Sequence, residues 1–207
     1  MPASRPGTPG SEPDIGRAPG DLGTLQAFVN TLDIEQGTDA LATAAGLDAW
    51  LRDAGLIAMA GSPSAPSDVT TAVELREALR GVLRSHVTHK AARNLAHAAD
   101  TGATGAGPAG RVADIAARMQ AGIRAEPDGR IVVIPVEPGA SGALSRLLLI
   151  GAEAATAGTW ARLKVCTADD CQWAFYDRSP TRSGCWCSMQ ICGSRAKSRA
   201  YRTRAGR

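Results

Sequence analysis

The chain has no long hydrophobic run and few large aromatic side chains. Its 207 residues include only two Phe, two Tyr and four Trp, so a core must be built mainly from Leu, Val, Ile and Ala. The apolar run LLLI at 147–150 is far too short to cross a bilayer, which takes about 20 residues. The first twenty residues are rich in Pro and Gly and lack the apolar segment of a signal peptide. These absences predict a cytoplasmic protein with no membrane partner.

Motifs that identify common enzyme classes are also missing. The sequence holds no P-loop, no G-x-S-x-G, no dinucleotide-binding fingerprint and no telling pair of carboxylates. His86 and His89 form H-x-x-H without the glutamate context of a zinc protease. We expect both to be solvent-facing helix residues, and we expect no enzymatic activity.

Acidic residues are absent from the C-terminal end. From Arg178 to Arg207 there are eight Lys and Arg and no Asp or Glu, whereas residues 1–177 hold 15 Lys and Arg against 20 Asp and Glu. The net charge of +3 therefore combines an acidic body with a strongly basic end. Such asymmetry indicates a surface for a polyanion, and nucleic acid is the first candidate.

All five cysteines lie between positions 166 and 192. Four of them form two C-x4-C pairs separated by 15 residues: Cys166, Cys171, Cys187 and Cys192. Two such pairs can close a tetrahedron around one zinc ion, and a reducing cytoplasm favours metal binding over disulfides. The sequence predicts one structural Zn2+, with a redox dithiol or an iron–sulfur cluster as the alternatives.

The fifth thiol, Cys185, could compete with Cys187 for the metal, because the two flank Trp186. Cys187 gives two equal C-x4-C pairs, whereas Cys185 would give C-x6-C, so the spacing favours Cys187. Cys185 is then predicted to be a surface or half-buried thiol. A redox-sensing role, in which Cys185 attacks a ligand sulfur, is the alternative.

The neighbours of the cysteines suggest how a small metal module is stabilised. Lys164, Arg178 and Arg182 are predicted to offset the thiolate charge, and Gly193 to allow a tight turn whose backbone N–H groups face sulfur. A module of about forty residues needs a metal to hold its core. The predicted core consists of the aromatic residues between the ligands: Trp173, Phe175, Tyr176 and Trp186.

Apolar periodicity predicts an α+β fold whose N-terminal body is mostly helical with a small β-hairpin. Residues 1–20 are expected to be a disordered leader, and the glycines of 101–110 a flexible loop. The strand 131–138 is predicted to pair with residues 121–126. Predicted helices cover about 21–33, 43–55, 67–87 with a continuation through Leu95, 112–119, and a stretch that begins at Ser141.

A polar pair, Asn30 and Thr31, interrupts the apolar pattern of the first helix. We expect it to hydrogen-bond the backbone of a neighbouring element, with a small-molecule pocket as the alternative. A small-molecule effector and a homodimer are further expectations for the body.

The segment after Cys192 has good helix formers and no proline, which predicts a basic C-terminal helix. At about 100° per residue, Arg195, Arg199 and Arg202 share one stripe, and Lys197, Tyr201 and Arg204 lie nearly opposite. A narrow face of small residues (Ala196, Ala200 and Thr203) is predicted to pack on the finger. The two basic stripes could then contact phosphates, and arginines could contact guanine edges in a major groove.

The segment LKVCTADDCQWAFYDRSPTRSGCWCSMQICGSRAKSRAYRTR at 163–204 resembles the CGNR zinc finger. The body, with FVNTLD at 28–33 and LDAWLRDAGL at 47–56, resembles the ABATE domain that precedes this finger in bacterial stress-responsive transcription regulators. Two positions depart from the pattern: Ser194 stands where the signature has Asn, and Cys185 is an extra thiol.

The resemblance implies an ABATE-like regulatory body over residues 21–160 and a zinc finger with a basic tail over 161–207. We expect a DNA-binding, nucleoid-associated transcription regulator whose partner is double-stranded DNA. An RNA-binding zinc module and a protein-interaction adaptor with purely structural zinc are the alternatives. The predicted nucleic-acid contacts are Arg178, Arg182, Arg195, Lys197, Arg199, Arg202 and Arg204.

Overall fold

The computed structural model describes residues 16–59, 61–87 and 107–205, with the backbone alone for the last two. Most of the predicted leader, His89, the helical continuation to Leu95 and residues 101–106 lie outside the described residues. The elements in chain order are α1 (Leu22–Val29), β1 (Leu32–Asp33), β2 (Thr38–Asp39), α2 (Ala44–Asp53), α3 (Pro66–Ser85), α4 (Pro108–Ala116), β3 (Ala121–Ala125), β4 (Ile131–Pro135), α5 (Gly139–Thr156), β5 (Leu163–Val165), β6 (Ala174–Tyr176) and α6 (Ser194–Ala205).

One apolar core joins the helices of the body. As the composition requires, it is built mainly from Leu and Ala side chains, with Phe28 of α1 as a fully buried aromatic centre. The ring of Phe28 packs against Trp50 of α2, with 5.4 Å between the ring centroids. The predicted α+β fold with a mostly helical body is thus confirmed.

Local backbone chemistry sets where the helices begin. Helix α3 begins at Pro66, one residue before the predicted start at 67, because the Asp68 carboxylate accepts a hydrogen bond from the Ala65 amide at 2.7 Å. This closes the first turn from inside the helix. Helix α2 begins as expected after Thr43, whose hydroxyl accepts from the Gly46 amide at 3.1 Å.

The strands form three separate antiparallel pairs. In the pair β3–β4, Ile123 lies opposite Val133, so the predicted partner of the 131–138 strand is correct. The strand itself ends at Pro135, and α5 begins at Gly139, two residues before the predicted start. The pairs β1–β2 and β5–β6 were not expected, because two- and three-residue strands are too short for a period to show.

Strands β5 and β6 belong to the predicted finger, yet their side chains lie in the core of the body. Leu163, Val165 and Ala174 are completely buried in the cluster that also holds Phe28. The Asn30 amide mimics a strand partner for Ala174. Its Oδ1 accepts from the Ala174 N–H at 2.7 Å, and its Nδ2 donates to the Ala174 carbonyl at 3.0 Å. The predicted backbone-binding role of Asn30 is confirmed, and the body and the finger share one core.

The end of the predicted leader packs on this core. Ala18 is buried, and the Gly16 carbonyl accepts from the Tyr176 N–H at 2.7 Å and from the Gln26 side chain at 2.8 Å. Residues 16–20 therefore lie on the body, because these hydrogen bonds fix their backbone. Among the described residues, no helix is both long and apolar enough to cross a membrane.

Candidate metal centre and basic helix

The four predicted ligands converge at one point of the structure. The sulfur atoms of Cys166, Cys171, Cys187 and Cys192 all lie within 4.8 Å of one another. The Sγ–Sγ distance is 3.6 Å between Cys171 and Cys187, and 3.7 Å between Cys187 and Cys192. A disulfide needs about 2.05 Å, whereas sulfurs held tetrahedrally at about 2.3 Å from zinc lie about 3.8 Å apart. The spacing fits a metal centre and excludes a bridge between these pairs.

The electrostatics of the cluster also fit a cation site. A hydrogen bond to Cys171 together with burial raises the pKa of the Cys166 thiol to about 12. Hydrogen bonds to Cys166 and Cys171 raise the pKa of Cys187, and burial raises that of Cys192. Thiolates so close together are stable only around a positive charge, which a zinc ion supplies when bound. The four cysteines therefore form a site for one structural zinc ion.

The hydrogen bonds around the ligands differ from the prediction at Gly193. Its N–H donates to the Ser188 carbonyl at 3.1 Å, whereas other backbone amides reach sulfur, among them that of Trp173, 3.4 Å from the Cys171 Sγ. A Cβ at Gly193 would lie 2.6 Å from the sulfur of the exposed Met189 side chain, which would have to move aside. The Gly193 amide thus closes the turn through a backbone hydrogen bond.

Cys185 lies outside the four-cysteine group, in agreement with the choice of Cys187. Its thiol is half-buried, and burial raises its pKa. Its carbonyl accepts from both the N–H and the hydroxyl of Thr167, each at 3.0 Å. Residue 185 thus ties the loop of the first cysteine pair to the approach of the second.

A buried ion pair shapes the loop between the two cysteine pairs. The Lys164 ammonium lies 2.8 Å from the Asp177 carboxylate, and the two side chains are 1% and 4% exposed. Lys164 also donates to the carbonyls of Arg182 at 2.5 Å and Gly184 at 3.2 Å. It therefore organises this loop, whereas the sequence suggested that it offsets thiolate charge.

Asp177, the first residue of the sequence DRS at 177–179, completes this network. Burial alone would raise the pKa of its carboxyl, but hydrogen bonds from Lys164, Ser179 and Gly184 outweigh burial and lower the pKa to about 2. Gly184 donates at 2.8 Å, and a Cβ there would meet the carboxylate at 2.9–3.0 Å. Only glycine allows this approach, so the loop from 177 to 184 is fixed around one carboxylate.

Helix α3 of the body holds the turn that follows Cys171. The buried Arg80 side chain donates to the Gln172 carbonyl at 3.0 Å and to the Val29 carbonyl at 2.7 Å. Gln172 has a φ of +49°, which is uncommon for a non-glycine residue. Arg80 therefore joins the end of α1 to the metal turn and stabilises its backbone.

The aromatic residues divide between two cores. Trp173 and Trp186 pack against the cysteine cluster, as predicted for the core of the finger. Tyr176 lies instead in the core of the body, and Phe175 is buried with its Cβ near Gly16. The prediction of a self-contained aromatic core was therefore half right, since strand β6 turns its side chains toward the body.

The last ligand, Cys192, lies in a π-helical turn over Met189–Gly193. Helix α6 begins directly after this turn, two residues beyond Cys192. Ala196 is half-buried, but Ala200 and Thr203 are exposed. The predicted packing of the small-residue face is therefore wrong beyond its first turn. Among the described side chains of α6, Ala196 at the base is the half-buried one, and those from Lys197 to Thr203 are exposed.

Two arginines of α6 contact carboxylates of the same chain. Arg195 Nη2 lies 2.8 Å from Glu35 Oε1 in the β1–β2 turn, and Arg199 Nη1 lies 3.7 Å from Asp170 Oδ2 beside Cys171. The hydrogen bond to Glu35 raises the pKa of the exposed Arg195 guanidinium. Both partners are distant in sequence, so no local pattern could have indicated them.

The other predicted nucleic-acid contacts lie in different surroundings. Arg178 donates to the Arg17 carbonyl at 3.0 Å and lies over the Tyr176 ring, so its guanidinium is engaged by the body. Arg182 has a φ of +50° in the loop below Asp177 and is exposed. On α6, Lys197 and Arg202 are exposed, and the Arg204 side chain lies outside the described residues. The structure thus gathers five of the seven predicted cations on one helix.

Two family comparisons match these two parts of the molecule. Residues 24–159 match the ABATE family, described as "Putative stress-induced transcription regulator", and residues 162–205 match the CGNR zinc finger. Neither description names an enzyme class, and no curated protein matches the chain. The resemblance found in the sequence is confirmed. The chain therefore belongs to the ABATE family and carries a CGNR zinc finger at its C-terminal end.

Proposed function

We propose that this protein is a DNA-binding transcription regulator in which the zinc finger presents α6 to the double helix. The observation that carries the proposal is the position of α6. Twelve residues with five Lys and Arg and no acid begin directly after the metal turn and extend into solvent. A cation-rich helix with a fixed base is suited to the phosphates of nucleic acid.

The dimensions of α6 support a duplex as the partner. At 1.5 Å per residue, 12 residues span about 18 Å, and a helix with side chains is about 10–12 Å wide. The major groove of B-DNA is about 12 Å wide. A helix whose side chains from Lys197 to Thr203 are all exposed can enter such a groove without moving the rest of the finger.

The exposure of the aromatic residues favours duplex DNA over single-stranded RNA. Recognition of single strands stacks bases on exposed aromatic rings. In the part of the chain that the structure describes, Tyr201 is the exposed aromatic, at 73%, whereas the finger tryptophans pack on the cysteine cluster. One ring is a poor platform for several bases.

For the body, we propose a sensing or self-association role, with a small-molecule effector and a homodimer as its predicted partners. The shared core gives this role a physical route to the finger. Arg80 and Asn30 of the body hydrogen-bond directly to the residues after Cys171. A change in α1 or α3 would therefore be felt at the metal turn. The proposal places the protein in the cytoplasm, at the nucleoid.

The proposal is tested by titrating the zinc-loaded chain with a fluorescent mixed-sequence DNA duplex at several salt concentrations. We expect log Kd to rise linearly with log salt, with a slope of about 0.9 per phosphate contact. A variant with glutamine at the five cationic positions of α6 should lose binding, and its zinc content should be unchanged.

The same titration separates the alternatives. Stronger binding to single-stranded RNA in a competition experiment would support the RNA-binding module. A salt-insensitive interaction, or binding that the five-glutamine variant retains, would contradict the role of α6. Regulation in cells that survives charge reversal of Arg195, Arg199 and Arg202 would support the protein-interaction adaptor.

A further inference from the structure

The two sides of α6 differ in what surrounds them. On one side, Arg195 and Arg199 contact Glu35 and Asp170, which are carboxylates of the folded chain. On another side, four residues line one shallow groove, which we call the open face: Lys197, Ser198, Tyr201 and Arg202. Around the helix axis, measured from Ser194, they lie at about 300°, 40°, 340° and 80° in that order.

Carboxylates make the first side a poor place for a phosphate. A phosphate that approached Arg195 would have to displace Glu35 from a 2.8 Å contact and remain beside a like charge. On the open face, no carboxylate of the described residues lies within ion-pair distance of Lys197 or Arg202. The attraction for phosphate is therefore greatest where the chain offers no competitor.

The open face also has the donors that a phosphate backbone needs. Lys197 and Arg202 lie on either side of two hydroxyl groups, those of Ser198 and Tyr201, and all four side chains are exposed. Lys, Arg, Ser and Tyr side chains are the usual donors to phosphate oxygens in protein–DNA complexes. Two flanking cations with hydroxyls between them match a line of phosphates along one strand.

We propose that the open face is the surface of α6 that contacts DNA phosphates, and that Arg195 and Arg199 are positioning residues. They hold the base of the helix on Glu35 and Asp170 and set the direction in which the open face points. This inference rests on the proposed function and revises which cations carry it. The sequence placed Arg195, Arg199 and Arg202 together as one contact stripe. In the structure Arg202 still borders the groove of Arg195 and Arg199, but it also lines the open face and pairs with no carboxylate of the described residues.

The test compares single variants of the full, zinc-loaded chain in duplex titrations between about 50 and 200 mM salt. Lys197→Gln and Arg202→Gln should each reduce the log–log slope by about 0.9, the loss of one phosphate contact. Arg195→Gln and Arg199→Gln should leave the slope unchanged. Arg130→Gln, which removes an equal charge from the exposed β3–β4 turn, is the matched control and should also leave it unchanged.

Variants of Glu35 distinguish two roles of Arg195: holding the helix on Glu35, or leaving Glu35 to bind a phosphate. If Arg195 leaves Glu35 to bind phosphate, Glu35→Gln should steepen the slope by one contact. In our proposal Glu35→Gln leaves the slope unchanged. The swapped pair Glu35→Arg with Arg195→Glu should keep the wild-type affinity and slope, because an ion pair of either polarity holds the helix. A loss of slope in the swapped pair would show that Arg195 itself contacts phosphate.

The outcomes separate the inference from the function on which it rests. A wild-type chain that does not bind duplex DNA overturns the proposed function. If the wild-type chain binds, three results overturn the open face alone. The log–log slope falls with Arg195→Gln or Arg199→Gln, it rises with Glu35→Gln, or it stays unchanged with both Lys197→Gln and Arg202→Gln.

Discussion

The two halves of the zinc finger are joined by the same metal centre but are held in the molecule by different interactions. In the first half, Leu163 and Val165 of β5 and Ala174 of β6 are completely buried in the core of the body. In the second half, from Cys187 to Ala205, Cys192 and Gly193 are buried, and most of the other described side chains are exposed. Apolar burial holds the first half, whereas the metal centre holds the second.

This difference shows what the metal is needed for. The first half has the apolar contacts that stabilise any strand pair against a helical core. The second half buries little apolar surface, so its position depends on Cys187 and Cys192 at one end of a solvated helix. The body sets where the finger lies, and zinc holds the base of α6, whose direction the ion pairs of Arg195 and Arg199 then set.

The largest expected effect comes from removing the metal. Chelation, or Cys192→Ser, should release residues 187–205 while β5–β6 and the body helices stay folded, because structural zinc contributes about 10–16 kcal/mol of binding free energy in finger peptides. Zinc content should fall from about one per chain to none. Hydrogen exchange read by mass spectrometry should rise in peptides after Cys187 and remain low in α1 and β5.

Cys185→Ser is the matched control, because this thiol lies outside the four-cysteine group. It should leave both zinc content and exchange unchanged. Equal exchange increases in β5 and α6 after chelation would show that the metal holds the whole finger. No increase in either would show that the site is not structural.

The second prediction concerns the loop that joins the two halves. Asp177→Asn leaves the buried Lys164 ammonium without its carboxylate, and breaking a buried pair from one side costs about 3–5 kcal/mol. The free energy of unfolding, followed by tryptophan fluorescence in denaturant, should fall by about this amount. Asp128→Asn removes a carboxylate of an exposed pair with Arg130 and should leave the unfolding midpoint unchanged.

A smaller effect is expected at the contact between the body and β6. Asn30→Ala leaves the Ala174 N–H without its acceptor at 2.7 Å, whereas the Ala174 carbonyl keeps the Gln26 side chain at 3.0 Å. One buried N–H without a partner costs about 1–3 kcal/mol. Denaturant unfolding should show this loss with zinc content retained.

Gln36→Ala, which removes an exposed side-chain amide, is the control for that variant and should change neither quantity. If Asn30→Ala also released zinc, the first half of the finger would depend on the body for its metal as well as for its packing. That result would remove the distinction between the two halves.

The same division explains what the sequence could predict. The cysteine spacing and the charge of the tail are local patterns, and they predicted the metal centre and the basic helix. The pairing of 131–138 with 121–126 and the backbone contact of Asn30 also followed from short-range signals. The contacts of Arg195 with Glu35 and of Arg80 with Gln172 join residues that are far apart in sequence, and only the fold brings them together.

Helix ends and small strands were missed for a related reason. Helix α1 ends at Val29 and not near residue 33, because the chain turns into β1 at Leu32. The exposed Ala200 and Thr203 looked like a packing face, although nothing in the composition of α6 showed whether a neighbour would lie beside them. Tertiary placement decided both.

The smallest expected effect is a pH dependence at the contact between α3 and β5. His86, at the C-terminal end of α3, was expected to face solvent. It is instead half-buried, with Nδ1 donating to the Leu163 carbonyl at 2.8 Å and the ring packed edge-on against Trp160. Burial lowers its pKa from 6.5, and the charge of nearby Lys164 lowers it further, against the opposing effect of the Leu163 hydrogen bond.

Because the folded chain disfavours protonated His86, its contribution to stability is complete above pH 6.5 and is lost as the pH falls through the lower folded-state pKa. The Tm of the wild type should therefore fall more between pH 7.5 and about 5.5 than that of His86→Gln, whose side-chain amide can still donate to Leu163 but does not titrate. Both proteins share the titration of the thiols, so the difference between their slopes of Tm against pH comes from His86. Equal slopes would show that His86 does not make this contact pH-sensitive. A steeper slope in the wild type would show that mild acid weakens the attachment of the first half of the finger to the body.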